Sequence, residues 1–303
     1  MSLTQPTTIE HPQLAVLAQD QPDIYQLLLS AWTTDQQALG AETFDAMVER
    51  VRSLLWQAKA DPHSGTILSQ AQQAFLDQFV EYVPDVNNAM VEALNDEMGE
   101  AKARSFIDAV YIIDQACRLE IAHGTLFDTD PEAAAVLDQP WVVATMSPSR
   151  ASVAYHDAIA AKQTILVPAD RELVRLLAGR YHQCDYCKSI RISTDGVPFV
   201  SRELEAELNN YPGGNLSDGQ KAALNYAEVH MQDPTRIETD LRRRLEESFS
   251  HDQILQLTLE VSCWNYQKLL VALSIAQPAN PDFLTLVTLD EHGVINHGEL
   301  LDY

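Results

Sequence analysis

The segment PADRELVRLLAGRYHQCDYCKSIRIS, residues 168-193, decides how the chain is read. Leu173, Val174, Leu176, Leu177 and Tyr181 recur at helical spacing, which predicts a helix that ends near His182. Cys184 and Cys187 follow and are expected to open the next helix. That position suits a reactive sulfur, because helix N-terminal amides and the positive end of the dipole favour a thiolate over a thiol. The sulfurs should lie close enough to bridge without backbone movement.

Working outward, the chain has only two other cysteines, Cys117 and Cys263, each alone inside an apolar helical pattern and read as a small core residue. Four cysteines in 303 residues are too few for a disulfide scaffold. A zinc site needs four ligands and the close pair supplies two, with no second pair at ligand spacing. A thioredoxin reading lacks its βαβ context. No metal and no cofactor is expected.

The composition sets broader limits. A formal charge of -24 disfavours nucleic acid, whose phosphates are bound by clustered Lys and Arg, and the acidic excess is spread rather than blocked. No run approaches the roughly 18 apolar residues of a membrane span, and the start MSLTQPTTIEHPQLA has neither a basic region nor an apolar core. The expectation is a cytoplasmic chain that is neither secreted nor membrane-inserted.

An internal repeat runs through the sequence. Leu68, Ser69, Gln72, Ala74 and Leu76 match Leu216, Ser217, Gln220, Ala222 and Leu224 in the pattern L-S-x-x-Q-x-A-x-L. Asp85 and Asp233 keep the register, and Arg118, Leu119 and Ala122 echo Lys268, Leu269 and Ala272. Ser followed three residues later by Gln is a capping box, and Ser250 with Gln253 makes another. Helices are predicted over 46-58, 101-123, 218-231 and 253-276. Strand signal is confined to the tail, where LTLVTL and GVI flank Asp290-Glu291-His292 as a short hairpin. Pro131, Pro140, Pro148 and MSPSR mark a boundary near residue 145. The fold class expected is therefore all-α, with two degenerate tandem repeats of one helical unit, 1-145 and 146-303. Only the second carries the dithiol; VRSLLWQAKA in the first reads as structural.

On Glu172, Cys184, Cys187 and the lead-in R-E-L-V-R-L, the chain resembles the alkylhydroperoxidase (AhpD-like) and carboxymuconolactone decarboxylase superfamily, whose signature is Glu, eleven residues, Cys-x-x-Cys, three residues, His. The downstream runs LSDGQKAALNYAEV and FSHDQILQLTLEVSCWNYQKLLVAL extend the likeness over roughly 150-275. The resemblance implies that Cys187 is the peroxidatic thiol, Cys184 the resolving thiol and Glu172 the relay carboxylate. It implies a hydroperoxide substrate, a lipoyl- or thioredoxin-type dithiol reductant, and homo-oligomers. The chain departs from the pattern at the relay histidine, where Arg191 stands, and a guanidinium does not release a proton near neutral pH. His182 is the nearest substitute, although a histidine at a helix end is more often a cap or a solvated side chain. Between the cysteines stands Tyr186, as in some members. If two antiparallel helices flank the turn, Glu172 and Arg191 are expected to form an ion pair that biases Cys187 without supplying a base. The function expected is a thiol-dependent peroxidase of reduced turnover. The alternatives are a non-catalytic, diverged member and, further off, lactone decarboxylase chemistry.

Overall fold

A computed structural model of the protein describes residues 12-56, 67-128, 135-138, 140-144, 146-162, 165-290 and 295-301. Residue 145, Pro131 and the turn at Glu291-His292 lie outside them. The fold is mostly helical and forms two compact units. The first comprises the chain to Asp77 with Glu92–Tyr155, and the second comprises Gln78–Val91 with the chain from His156 onward.

In the first unit α1 (Ala15–Asp20), α2 (Pro22–Leu39) and α3 (Ala41–Leu55) are joined by short turns. Then come α4 (Gln70–Tyr82), α5 (Asn88–Met98), the 27-residue α6 (Glu100–Leu126) and α7 (Pro148–Ala160), of which α4, α5 and α7 are each divided between the two units. Pro22 opens α2 at a position whose amide has no helical partner. Gly40 (φ 86°) and Gly99 (φ 80°) divide α2 from α3 and α5 from α6 with left-handed backbone that other residues adopt only under strain. The spine is α6, whose Phe106, Val110, Ile113 and Cys117 are all fully buried. Its core also holds charge: Arg118 bonds Asp114 at 2.8 Å, and both side chains are about 99-100% buried.

The second unit contains α8 (Pro168–Tyr181), α9 (Asp185–Ser189), β1 (Ile190–Thr194), β2 (Val197–Pro198) and α10 (Arg202–Ala206). These are followed by α11 (Asp218–Gln232), α12 (Thr239–Ser248), α13 (His251–Trp264), α14 (Tyr266–Ala272), β3 (Leu284–Leu289) and β4 (Ile295–Leu301). The capping boxes are formed: Ser217 with Gln220 starts α11, and Ser250 with Gln253 starts α13. At the earlier match, Ser69 and Gln72 exchange the same two bonds at 3.0 and 3.2 Å. The helix expected over 253-276 is interrupted at the buried Asn265.

A four-stranded sheet, in the order β2-β1-β3-β4, corrects the all-α expectation. The tail hairpin β3-β4 is antiparallel, but β3 also pairs in parallel with β1, Arg191 opposite Leu286. Arg191 was expected on a helix running back from the turn but lies in β1, whose partner strand is about ninety residues away, and non-local pairing leaves no local pattern. No described helix is long and apolar enough to cross a membrane.

Candidate functional site

The turn that delivers the cysteines is built by backbone hydrogen bonds. At the end of α8, Cys184 N donates to Gly179 O at 2.9 Å, Gln183 N to Arg180 O at 3.3 Å, and Gln183 takes φ 52°. This is the Schellman arrangement, with Gln where glycine is usual, which removes the expected sequence signal. The Gln183 amide is anchored on the Tyr82 hydroxyl at 2.9 Å. Cys184 then becomes the N-cap of α9, and its sulfur accepts the Cys187 amide at 3.3 Å. The sulfurs of Cys184 and Cys187 are joined as a disulfide, with Cα atoms 5.3 Å apart, inside the usual range. Cys184 is fully buried and Cys187 is 5% exposed, so Cys187 is the more accessible sulfur.

Gly179 is the close-packing point beneath the pair. A Cβ placed there would sit 3.3 Å from Cys187 Cβ. Glycine inside a helix costs about 1 kcal/mol relative to alanine, and here it lets α8 approach the dithiol.

Glu172 is completely buried and does not meet Arg191, contrary to expectation. It is chelated by Arg175, one turn on, at 2.6 and 2.7 Å, and its Oε1 also accepts the Ile192 amide at 3.1 Å. Arg175 reaches across to the Cys187 carbonyl at 2.7 Å and the Ile190 carbonyl at 2.8 Å. The two residues therefore clamp the end of α9 and the start of β1 onto α8. Arg175, not Arg191, is the fixed cation beside the dithiol segment. Glu172 and Arg175 stand at i,i+3 on a helix, a spacing at which such side chains can pair.

Arg191 lies in β1, which is why helical geometry misplaced it. Its guanidinium is 95% buried or more, bonds Glu205 at 2.8 and 2.7 Å, and donates to the Lys188 and Ile190 carbonyls. His182 caps α8 through its backbone, but its ring is buried rather than solvated, with Nε2 3.0 Å from Asn265 Oδ1.

One titratable pair went unnoticed in the sequence. The Tyr186 hydroxyl lies 3.3 Å from His297 Nε2, across the α9-β4 gap. Burial pushes the Tyr186 phenol up, and Arg175 opposes that shift. Beside α9 is a cavity of about 380 Å³, lined by Asp185, Lys188, Phe283, Leu284 and Leu301 among others; neither cysteine lines it. Among the described residues no group of three His, Cys, Asp or Glu is placed to hold a metal ion.

No family model matches the chain, and no solved structure matches it. It is similar to two uncharacterized proteins of Mycobacterium tuberculosis, from strains CDC 1551 and H37Rv, at 30% identity over 119 residues. The match covers 39% of this chain and 42% of each relative.

Proposed function

We propose that the chain is a thiol-disulfide oxidoreductase that reduces hydroperoxides through Cys187 and Cys184. The observation that carries this reading is the disulfide at the start of α9, formed between the two cysteines of one short motif. In the proposed cycle the Cys187 thiolate attacks the terminal oxygen of ROOH, the O–O bond breaks, and ROH leaves after taking a proton. The resulting Cys187 sulfenic acid is attacked by Cys184, water leaves, and the disulfide forms. A dithiol reductant, lipoyl- or thioredoxin-type, restores both thiols by exchange and is itself oxidised.

The site offers unequal help to that cycle. Glu172 is saturated by Arg175 and the Ile192 amide, so it acts as a positioning residue rather than a proton relay. His297 meets the site only through the Tyr186 hydroxyl, 3.3 Å from its Nε2. Without a base in direct contact, turnover is expected to be slow. A second reading, in which the disulfide braces the fold without turnover, is favoured by the burial of both sulfurs.

The test is stoichiometric hydroperoxide on the reduced full chain. The expected result is loss of two thiols at Cys184 and Cys187 by mass spectrometry, with recovery in a dithiol. In Cys184→Ser, Cys187 should be trapped as a sulfenic acid by a dimedone-type reagent. A reduced dithiol indifferent to peroxide would eliminate the peroxidase and leave the brace.

We also propose that the halves, 1-145 and 146-303, are tandem repeats of an AhpD-like helical unit. Support comes from element order. The capped α4 is followed by a 3-10 turn at Val83–Asp85, α5 and α6; the capped α11 is followed by a 3-10 turn at Pro234–Arg236, α12 and α13-α14. An experimental structure in which these helices fail to superpose pairwise would remove the duplication. Homo-oligomers and a cytoplasmic setting belong to the same proposal.

A further inference from the structure

A second cavity, of about 190 Å³, opens where Arg180, Arg191 and Arg202 converge beside Glu205 and Leu284. The chain carries 20 basic against 44 acidic residues, so three arginines on one small cavity with a single lining carboxylate run against its composition. Glu205 is already shared: it accepts Arg191 at 2.8 and 2.7 Å and Arg180 at 3.2 Å. Arg191 is locked further by the Lys188 and Ile190 carbonyls, and Arg180 by Asn209 Oδ1 at 3.0 Å. Arg202 acts on Glu203, an exposed carboxylate outside the lining whose acidity is raised first by its own backbone amide, then by Ser201, then by Arg202.

Three guanidinium groups line this cavity against the one lining carboxylate of Glu205, and an anion placed among them would lower their mutual repulsion. Their planar forks suit the oxygens of phosphate, and the bonds that already hold Arg191 and Arg180 lower the ordering cost of binding. At roughly 30 Å³ per water, the cavity admits a phosphate group and a few waters.

We propose that this cavity is a binding site for a phosphate group, walled by Arg191 and contacted by Arg180 and Arg202. The inference is independent of the redox reading. Its source is either inorganic phosphate or the phosphate of a larger ligand.

The experiment titrates the reduced and the oxidised full chain with inorganic phosphate by calorimetry, at constant ionic strength set with chloride. Saturable one-to-one binding is expected, weakened about tenfold or more in Arg202→Gln and in Arg180→Gln, since each removes a charge-assisted contact. Arg202 is exposed, so its variant keeps the fold, as checked by circular dichroism. Arg243→Gln, in an exposed ion pair elsewhere, should bind as the parent does. Phenyl phosphate assigns the source: affinity equal to or above that of inorganic phosphate marks a headgroup site, and affinity more than tenfold lower marks a free-ion site. Heat no different from that of chloride, or binding retained in both arginine variants, overturns the proposal.

Discussion

At the scale of single residues, the dithiol is held by a buried ion pair whose worth lies in what it organises. Removing a carboxylate and a guanidinium from water costs several kcal/mol each, and such pairs are often no more stabilising than an apolar substitute. Glu172 and Arg175 recover that cost by using their remaining bonding capacity on the Ile192 amide and the Cys187 and Ile190 carbonyls. Arg175→Met strands Glu172 as an unpaired buried charge and is expected to lower stability by about 3-5 kcal/mol in urea unfolding. Adding Glu172→Leu should recover part of that loss. A single variant within about 0.5 kcal/mol of the parent would show that the clamp does not matter.

At the scale of elements, α2 and α6 carry an opposed pair of acids in the first unit. Asp35 and Asp108 are both fully buried. Asp108 bonds Arg104 at 3.0 Å and Ser149, whereas both Asp35 oxygens lack a hydrogen-bond partner among the described residues. Burial first, and then the Asp108 charge, hold the Asp35 carboxyl well above its usual range. The folded chain thus retains a proton that the unfolded chain has lost, so stability falls as pH rises from the ordinary aspartate value toward the folded one. Asp35→Asn removes this slope: its melting temperature should exceed the parent's by a margin that grows as pH rises above the ordinary aspartate range. A constant difference above that range would contradict the assignment. Elements also show what could be read in the sequence. The capped helices and the tail hairpin follow local rules of spacing and capping, which is why Ser217, Ser250 and LTLVTL announced them. In the same way Cys184 and Cys187 were legible as a pair able to bridge. Strand β1, and with it the side chains of Arg191, Glu205 and His297, depends on pairing and packing between distant segments. No window of a dozen residues records that.

Across the whole molecule, the four cysteines fall into two chemical environments. Burial pushes the Cys117 thiol up to about 12 despite the opposing Arg52, and burial with Glu260 holds Cys263 well above its usual range. After mild reduction, maleimide at about pH 8 should label the 5% exposed Cys187 first in the folded chain and reach the fully buried Cys117, Cys184 and Cys263 only after unfolding. Equal labelling rates at all four would mean that burial does not separate them. The parallel pairing of β1 with β3 has a consequence for biosynthesis. Residue 190 pairs with residue 285, so the strand beside the dithiol has to wait while the intervening helices are made. At about 5-20 residues per second, the nascent chain spends several seconds or more with that edge open and its two thiols not yet packed into the finished fold. Whatever oxidant the cell supplies in that interval can reach the cysteines more easily than it ever will again.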